Sequence, residues 1–304
     1  MSQVRVEYQV AGSLIREGAG VKLHRYVGAE RDNALEPILL LDYFDSTDIL
    51  DYMAGFPSHP HRGFETITYL LHGSITHEDN KGHKGVIGAG DVQWMTAGRG
   101  IVHSEMPSTQ HERLQGLQLW LNLPAAEKMR PARYQEMLND ELPRETLASG
   151  AVVKVIAGAT DKGTTSPIKD IATKPLFFDI SLPKEAVFSQ QMPEDYQAIL
   201  LVVSGQIKIA GETVEAKHLA VLSPGTLLTL HADLTSQCLL IAARKLREPI
   251  VRHGPFVMNT PEEIMQALSD SCYARSILSC HIFKLLPSNL VRSKNQFVLN
   301  SKVI

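Results

Sequence analysis

"GFPSHPHRGFET", residues 55–66, holds the pattern on which the reading of this chain turns. His59 and His61 stand two apart with Pro60 between them, and Glu65 follows four residues after His61. Proline cannot donate to a β-ladder and is a poor residue for the middle of a sheet. Pro57 and Pro60 therefore read as stiffeners of a segment whose imidazoles must already point one way. In an extended chain residues 59, 61, 63 and 65 share one parity, so His59 and His61 face the same side, ~7 Å apart along the strand. The same parity puts Glu65 inward, as a ligand, as an acceptor for a liganding imidazole or as lining.

A second pair follows 42 residues after His61: "GRGIVHSEMP" (98–107) carries His103 and Glu105, again spaced i, i+2. Gly98 and Gly100 allow a tight turn before them. Three neutral imidazoles and one carboxylate make a four-ligand protein set, with room for solvent or substrate on a five- or six-coordinate ion. Fixing such ligands beforehand reduces the entropy lost on binding. A single histidine on an apolar strand is more often a hydrogen-bonded core residue; it is the joint pattern, His-x-His and then His-x-Glu behind a glycine turn, that points to a metal. His72, His77, His83 and His111 lack partners at such spacing and read as surface or loop residues.

The surrounding chain reads as all-β. "PILLLDYF" (37–44), "ETITYLLHG" (65–73), "DVQWMTAG" (91–98) and "LQLWLNLP" (117–124) are short, apolar and bounded by Gly, Pro or Asp, which favours barrels or sandwiches. In the last of them Leu117, Leu119, Leu121 and Leu123 share one face, and Gln118, Trp120 and Asn122 the other. A weak repeat aligns "TYLLHGSITHED" (68–79) with "ILLVVSGQIKIAGE" (199–212), Gly73 matching Gly205. Counting from these glycines puts Gln191 and Pro193 in the places of His59 and His61, and Gln197 in that of Glu65. Counting from Gly225 puts Leu230 and Ala232 in those of His103 and Glu105. Two barrel halves are expected, the first bearing ligands and the second empty: a metal-binding domain over 1–141, a ligand-free domain over 142–270, and a tail over 271–304. Residues 142–150 read as a linker or an entry loop. The one helix expected is "TPEEIMQALSD" (260–270), with Thr260 as cap, Pro261 at the first position and Glu263 completing a capping box.

The bulk numbers agree with a soluble two-domain chain. The 304 residues are 44% hydrophobic and 21% charged, with a formal net charge of −3, so nothing draws the whole molecule to nucleic acid or to an acidic membrane. The tail holds five basic residues and no acidic one; residues 1–270 hold 25 basic against 33 acidic. Three cysteines give no disulfide framework and favour a reducing cytoplasm. No apolar run approaches the ~20 residues of a membrane span.

The wording of "FPSHPHRGFETITYLLHG", "GDVQWMTAGRGIVHSEMP", "GLQLWLNLP" and "GPFVMNT" resembles the pirin family of the cupin superfamily, over roughly residues 1–270. That resemblance implies two cupin barrels facing each other, with one metal ion, usually iron, in the first. Its ligands would be His59, His61, His103 and Glu105; ordinary cupins take their carboxylate from the place of Glu65 instead. Bacterial members are similar to quercetinases, which open the central ring of a flavonol with dioxygen. The expectation is therefore a metal-dependent dioxygenase with Fe(II), although a nitrogen and oxygen set also suits Zn, Mn, Co, Ni or Cu. Glu105 would be the catalytic proton acceptor, and Phe56 and Gln118 the contacts for a flat aromatic substrate. The alternative is a non-catalytic, iron-dependent redox sensor or protein-binding co-regulator, as vertebrate members of the family are. The tail departs from the family pattern, in which the chain ends soon after the helix.

Overall fold

The computed structural model describes residues 2–28 and 33–275. Among these residues are two seven-stranded and two four-stranded antiparallel sheets, a small hairpin and one α-helix. Each half is a barrel made of a long sheet closed by a short one. In the first, the long sheet is centred on Phe64–His72 and Leu114–Asn122, and the short one runs Phe56–His61, Ile101–Pro107, Ile75–Asp79, Lys84–Ile87. The second barrel repeats this with Tyr196–Ser204 and Ser236–Arg244 at the centre of its long sheet. The repeat seen from Gly73 and Gly205 thus marks equivalent strands.

Alternation along the central strands explains why the barrels stand back to back. Leu117, Leu119 and Leu121 pair with Tyr69, Ile67 and Glu65 across the sheet, and residues directly opposed in an antiparallel pair share a face. This face packs against Ile199, Leu219, Val221, Leu239 and Ile241 of the second barrel in one continuous apolar cluster. The opposite face, carrying Thr66, Thr68, Gln118 and Trp120, turns into the first barrel. Two cross-barrel bonds pin the contact: Tyr69 donates its hydroxyl to Asp179 at 2.6 Å, and Tyr26 donates to the Lys217 carbonyl at 2.8 Å.

The chain ends cross between the halves. Val6–Ala11 pairs with His218–Leu222 in the second barrel's long sheet. The segment after Arg244 returns to the first barrel, where Val257 packs on Leu39 and Phe64. There the buried Lys128 ammonium donates to the carbonyls of Gly63 (2.7 Å) and Val257 (3.0 Å) and to Asn122 Oδ1 (2.6 Å). The helix Pro261–Arg275 starts as its sequence predicts. Glu263 N–H donates to Thr260 Oγ1 at 3.2 Å, and Thr260 N–H donates back to Glu263 at 3.0 Å. The stretch read as a linker is not bare: Arg144–Thr146 forms a strand paired with Val152–Ala157. The basic tail, from residue 276, lies outside the described residues. Among the described residues no helix is long and apolar enough to cross a membrane.

Candidate metal centre

Pro60 sits where a proline can be tolerated. Phe56–His61 is the edge strand of the short sheet, so a missing N–H breaks no ladder on its outer side. It pairs with Ile101–Pro107, setting His103 directly opposite His59, and the register then slips so that Glu105 faces Phe56. Both pairs of expected ligands therefore project from adjacent strands into one barrel.

Three of the four meet. Nitrogens of His59, His61 and His103 all lie within 4.8 Å of one another. The two Nε2 atoms of His59 and His61 are 2.9 Å apart, and the three ring centroids are separated by 4.6 to 5.0 Å. His59 Nδ1–H donates to the Pro57 carbonyl at 2.8 Å, which leaves a lone pair on the Nε2 that faces His61. His61 is held edge-on by Phe64 and Trp120, at 5.2 and 5.3 Å. Burial, reinforced by the neighbouring imidazoles, holds His61 far below the ordinary histidine range, and burial brings His103 down to about 4. Both rings are neutral at physiological pH, with nitrogen lone pairs available.

Glu105 lies beside this group but outside its 4.8 Å circle. Its Oε1 is 3.0 Å from the Thr68 hydroxyl, which is in turn 2.6 Å from Gln118 Oε1. Burial raises its pKa, against the nearby His59. Phe56, Gln118 and Glu105 line one cavity of about 580 Å³ together with His59 and His61. Arg252 lies over the Trp120 ring there, 5.1 Å from its centroid, and Arg25 grips Asp42 at 2.7 and 2.8 Å.

The residues fit a metal ion. His61 Nδ1 and both nitrogens of His103 are buried without a hydrogen-bond partner, a costly state for a polar atom that a bound cation relieves for whichever nitrogen reaches it. Imidazole nitrogen beside carboxylate oxygen is a donor set for a divalent transition metal.

Glu65 is a different matter. Expected inside the barrel by parity with His59 and His61, it instead shares the inter-barrel face with Ile67 and Tyr69. Its Oε1 accepts from the Thr96 hydroxyl at 2.6 Å. The parity count fails because the strand of His61 ends before Phe64 begins a new one, through Gly63 at φ +88°. A side chain at 63 would also strike the Val257 carbonyl.

His77 corrects a second expectation. Read as a surface or loop residue, it is buried on the inner face of Ile75–Asp79, opposite Glu105 across the ladder. Its partners come from His83 and from Glu136, 59 residues further on, a distance in sequence that no local spacing rule spans.

The second barrel has no such group among its described residues. Its register refines the equivalences: Leu230 pairs with Phe188 as His103 pairs with His59, and Leu228 with Gln190 as Ile101 with His61. Gln191 and Pro193 are displaced from these places because the turn after the edge strand is longer in this half. Leu230 and Ala232 are buried in its apolar core.

The chain matches the family descriptions "Pirin" over residues 20–121 and "Pirin C-terminal cupin domain" over 177–275. A pirin-like protein of Caulobacter vibrioides is 46% identical over 261 residues, covering 86% of this chain and 95% of its own. Human pirin is 41% identical over 276 residues, covering 88% and 92%. A crystal structure named as quercetin 2,3-dioxygenase from Acinetobacter baumannii superposes with a TM-score of 0.82 at 31% identity, over 90% of this chain and 98% of that one.

Proposed function

The chain belongs to the pirin family, and from that premise we propose that it is a metal-dependent dioxygenase acting on a flavonol-like aromatic substrate. The observation that carries the reading is the meeting of His59, His61 and His103 beside a cavity lined also by Phe56, Trp120 and Arg252 and by the carboxylates of Glu17, Asp42 and Glu105. In this reading His59, His61, His103 and Glu105 hold one divalent ion, most simply Fe(II). When bound, that ion supplies a positive centre for the substrate oxyanion and the redox chemistry of dioxygen.

The chain's own residues account for the rest. A cavity of about 580 Å³ is within the usual range for a ligand of this size. Trp120 and Phe56 offer apolar walls to a planar ring system, and the Arg252 guanidinium favours an ionised phenol over a neutral one. Glu105, with its pKa raised by burial, is suited to take the proton of the substrate's 3-hydroxyl, since a base works best when its pKa approaches the working pH. Thr68 orients that carboxylate. Its single proton is shared between two acceptors, Glu105 Oε1 at 3.0 Å and Gln118 Oε1 at 2.6 Å.

The test combines metal analysis with quercetin turnover in air and under nitrogen. Loss of flavonol absorbance that needs oxygen and disappears in His61→Ala, together with one equivalent of metal, supports catalysis. A fully loaded chain that turns over no flavonol overturns it in favour of a metal-dependent binding protein.

A further inference from the structure

The inner wall of the first barrel carries a second cluster that the reaction above does not use. Glu136, on the strand Arg133–Met137, lies opposite Gln93, which itself lies opposite Thr68. The polar face that begins at Glu105 thus continues across the barrel to Glu136. There Glu136 Oε1 is 2.6 Å from His77 Nε2, 3.3 Å from His83 Nε2 and 2.7 Å from Gln93 Nε2. We propose that His77, His83 and Glu136 form a second metal site, for a divalent ion of the zinc type, reached across the strand next to that of His103 and Glu105.

Three observations support it. First, the donor set is right. Two imidazole nitrogens and one carboxylate oxygen, all within 4.8 Å of one another, are the protein ligands of a common open zinc site. Ligand atoms ~2.0–2.1 Å from a tetrahedral centre stand about 3.3 Å apart. The His83–Glu136 separation already has this value, and the His77 contact must open by about 0.7 Å, from its 2.6 Å, to reach it. Glu136 supplies the carboxylate ligand of the set.

Second, the space is kept open. A Cβ on Gly85 would lie 2.5 Å from His77 Nε2 and 3.1 and 3.2 Å from the two Glu136 oxygens. Any other residue at 85 would therefore press into the converging donors. His77 Nδ1, on the far side of that ring, is buried without a partner.

Third, His83 is placed before any ion arrives. Asp79 Oδ1 accepts the backbone N–H groups of Lys81 (2.8 Å) and His83 (2.9 Å), and the Asp79 N–H donates to the His83 carbonyl at 2.9 Å. Tyr134 stacks on the His83 ring at 4.5 Å. The His83 and Glu136 side chains are 40% and 30% exposed, so solvent reaches the cluster and can complete the coordination.

The full chain, stripped with chelator and dialysed against micromolar zinc, should take up two equivalents. His83→Ala, Glu136→Gln and Gly85→Ala should each take up one, and so should His61→Ala through the second site. His61→Ala with His83→Ala should take up none. Cobalt in place of zinc gives an independent readout: intense visible bands of a tetrahedral ion in His61→Ala, lost when Gly85→Ala is added. Gly85→Ala alters no ligand and His83 is partly exposed, so at least one of these variants tests the site in a folded chain. A wild-type plateau at one equivalent with none in His61→Ala overturns the proposal, as does a second equivalent that survives all three substitutions.

Discussion

Replacing Glu65 by glutamine should change how stability depends on pH, in one direction only. Glu65 is fully buried on the face between the barrels, and burial lifts its carboxyl from 4.5 to about 7. Between those pH values the folded chain holds a proton that the unfolded chain has released. The unfolded state then binds fewer protons, so stability falls as pH rises through this window. Below 4.5 both states are protonated and nothing is lost. Above about 7 the whole difference is expressed, about 3 kcal/mol at 1.36 kcal/mol per pKa unit. Glutamine is neutral throughout. Its carbonyl can still accept from Thr96, and its amide NH2 takes the place of Oε2 beside the Trp94 indole. Any cost of that NH2 is independent of pH, so the slope of the difference carries the test. Thermal unfolding of both chains, metal-free, from pH 4.5 to 8.5 should show Glu65→Gln gaining on wild type by roughly 6–10 °C over the range. A flat difference, or wild type gaining as pH rises, would refute the burial argument.

Two further outcomes follow from named contacts. Lys128→Met removes the donor shared by Gly63, Asn122 and Val257 and leaves three buried acceptors unmet; about 3 kcal/mol of stability should go, with faster proteolysis after residue 244 as the sign that the C-terminal segment has come loose. Thr68→Val keeps shape and loses the hydroxyl between Glu105 and Gln118; metal content should be unchanged, and flavonol turnover should fall about tenfold, the size of one lost hydrogen bond.

The parts of the fold that rest on local alternation were legible in the sequence. The Leu117–Leu123 stripe, the strand of Phe64–His72 and the capped helix at Thr260 each lie within about fifteen residues, and their periods survive folding. His59, His61 and His103 were visible as candidates for the same reason: each pair sits on one strand. Glu65 was misplaced because parity holds only inside a strand, and Gly63 ends one. The cluster of His77, His83 and Glu136 was hidden because its members come from a strand, a turn and a third element 53 residues beyond the turn. Only sheet closure brings them together. The crossing of Val6–Ala11 into the second barrel was equally unreadable, since an edge strand carries no mark of which sheet it completes.

The two barrels provide an internal control for which side chains matter to chemistry. Their registers match at the centre of the wall: Thr68 pairs with Gln118 and Gln93 as Leu200 pairs with Leu240 and Ala220. His103 pairs with His59 and Asp79 as Leu230 pairs with Phe188 and Ile209. The backbone is therefore alike at these positions, and the polar wall of the first barrel is replaced in the second by a packed apolar core. A buried wall of histidines, carboxylates and amides gives up the transfer free energy that leucine would supply at each place, of the order of 1.5–3 kcal/mol per large side chain. The second barrel keeps that stabilisation, and the tight apolar contact between the long sheets couples the first barrel to it. Substituting Leu200 or Leu230 should for that reason destabilise the whole chain while leaving metal uptake per folded molecule unchanged, whereas substituting His61 or His83 should do the reverse.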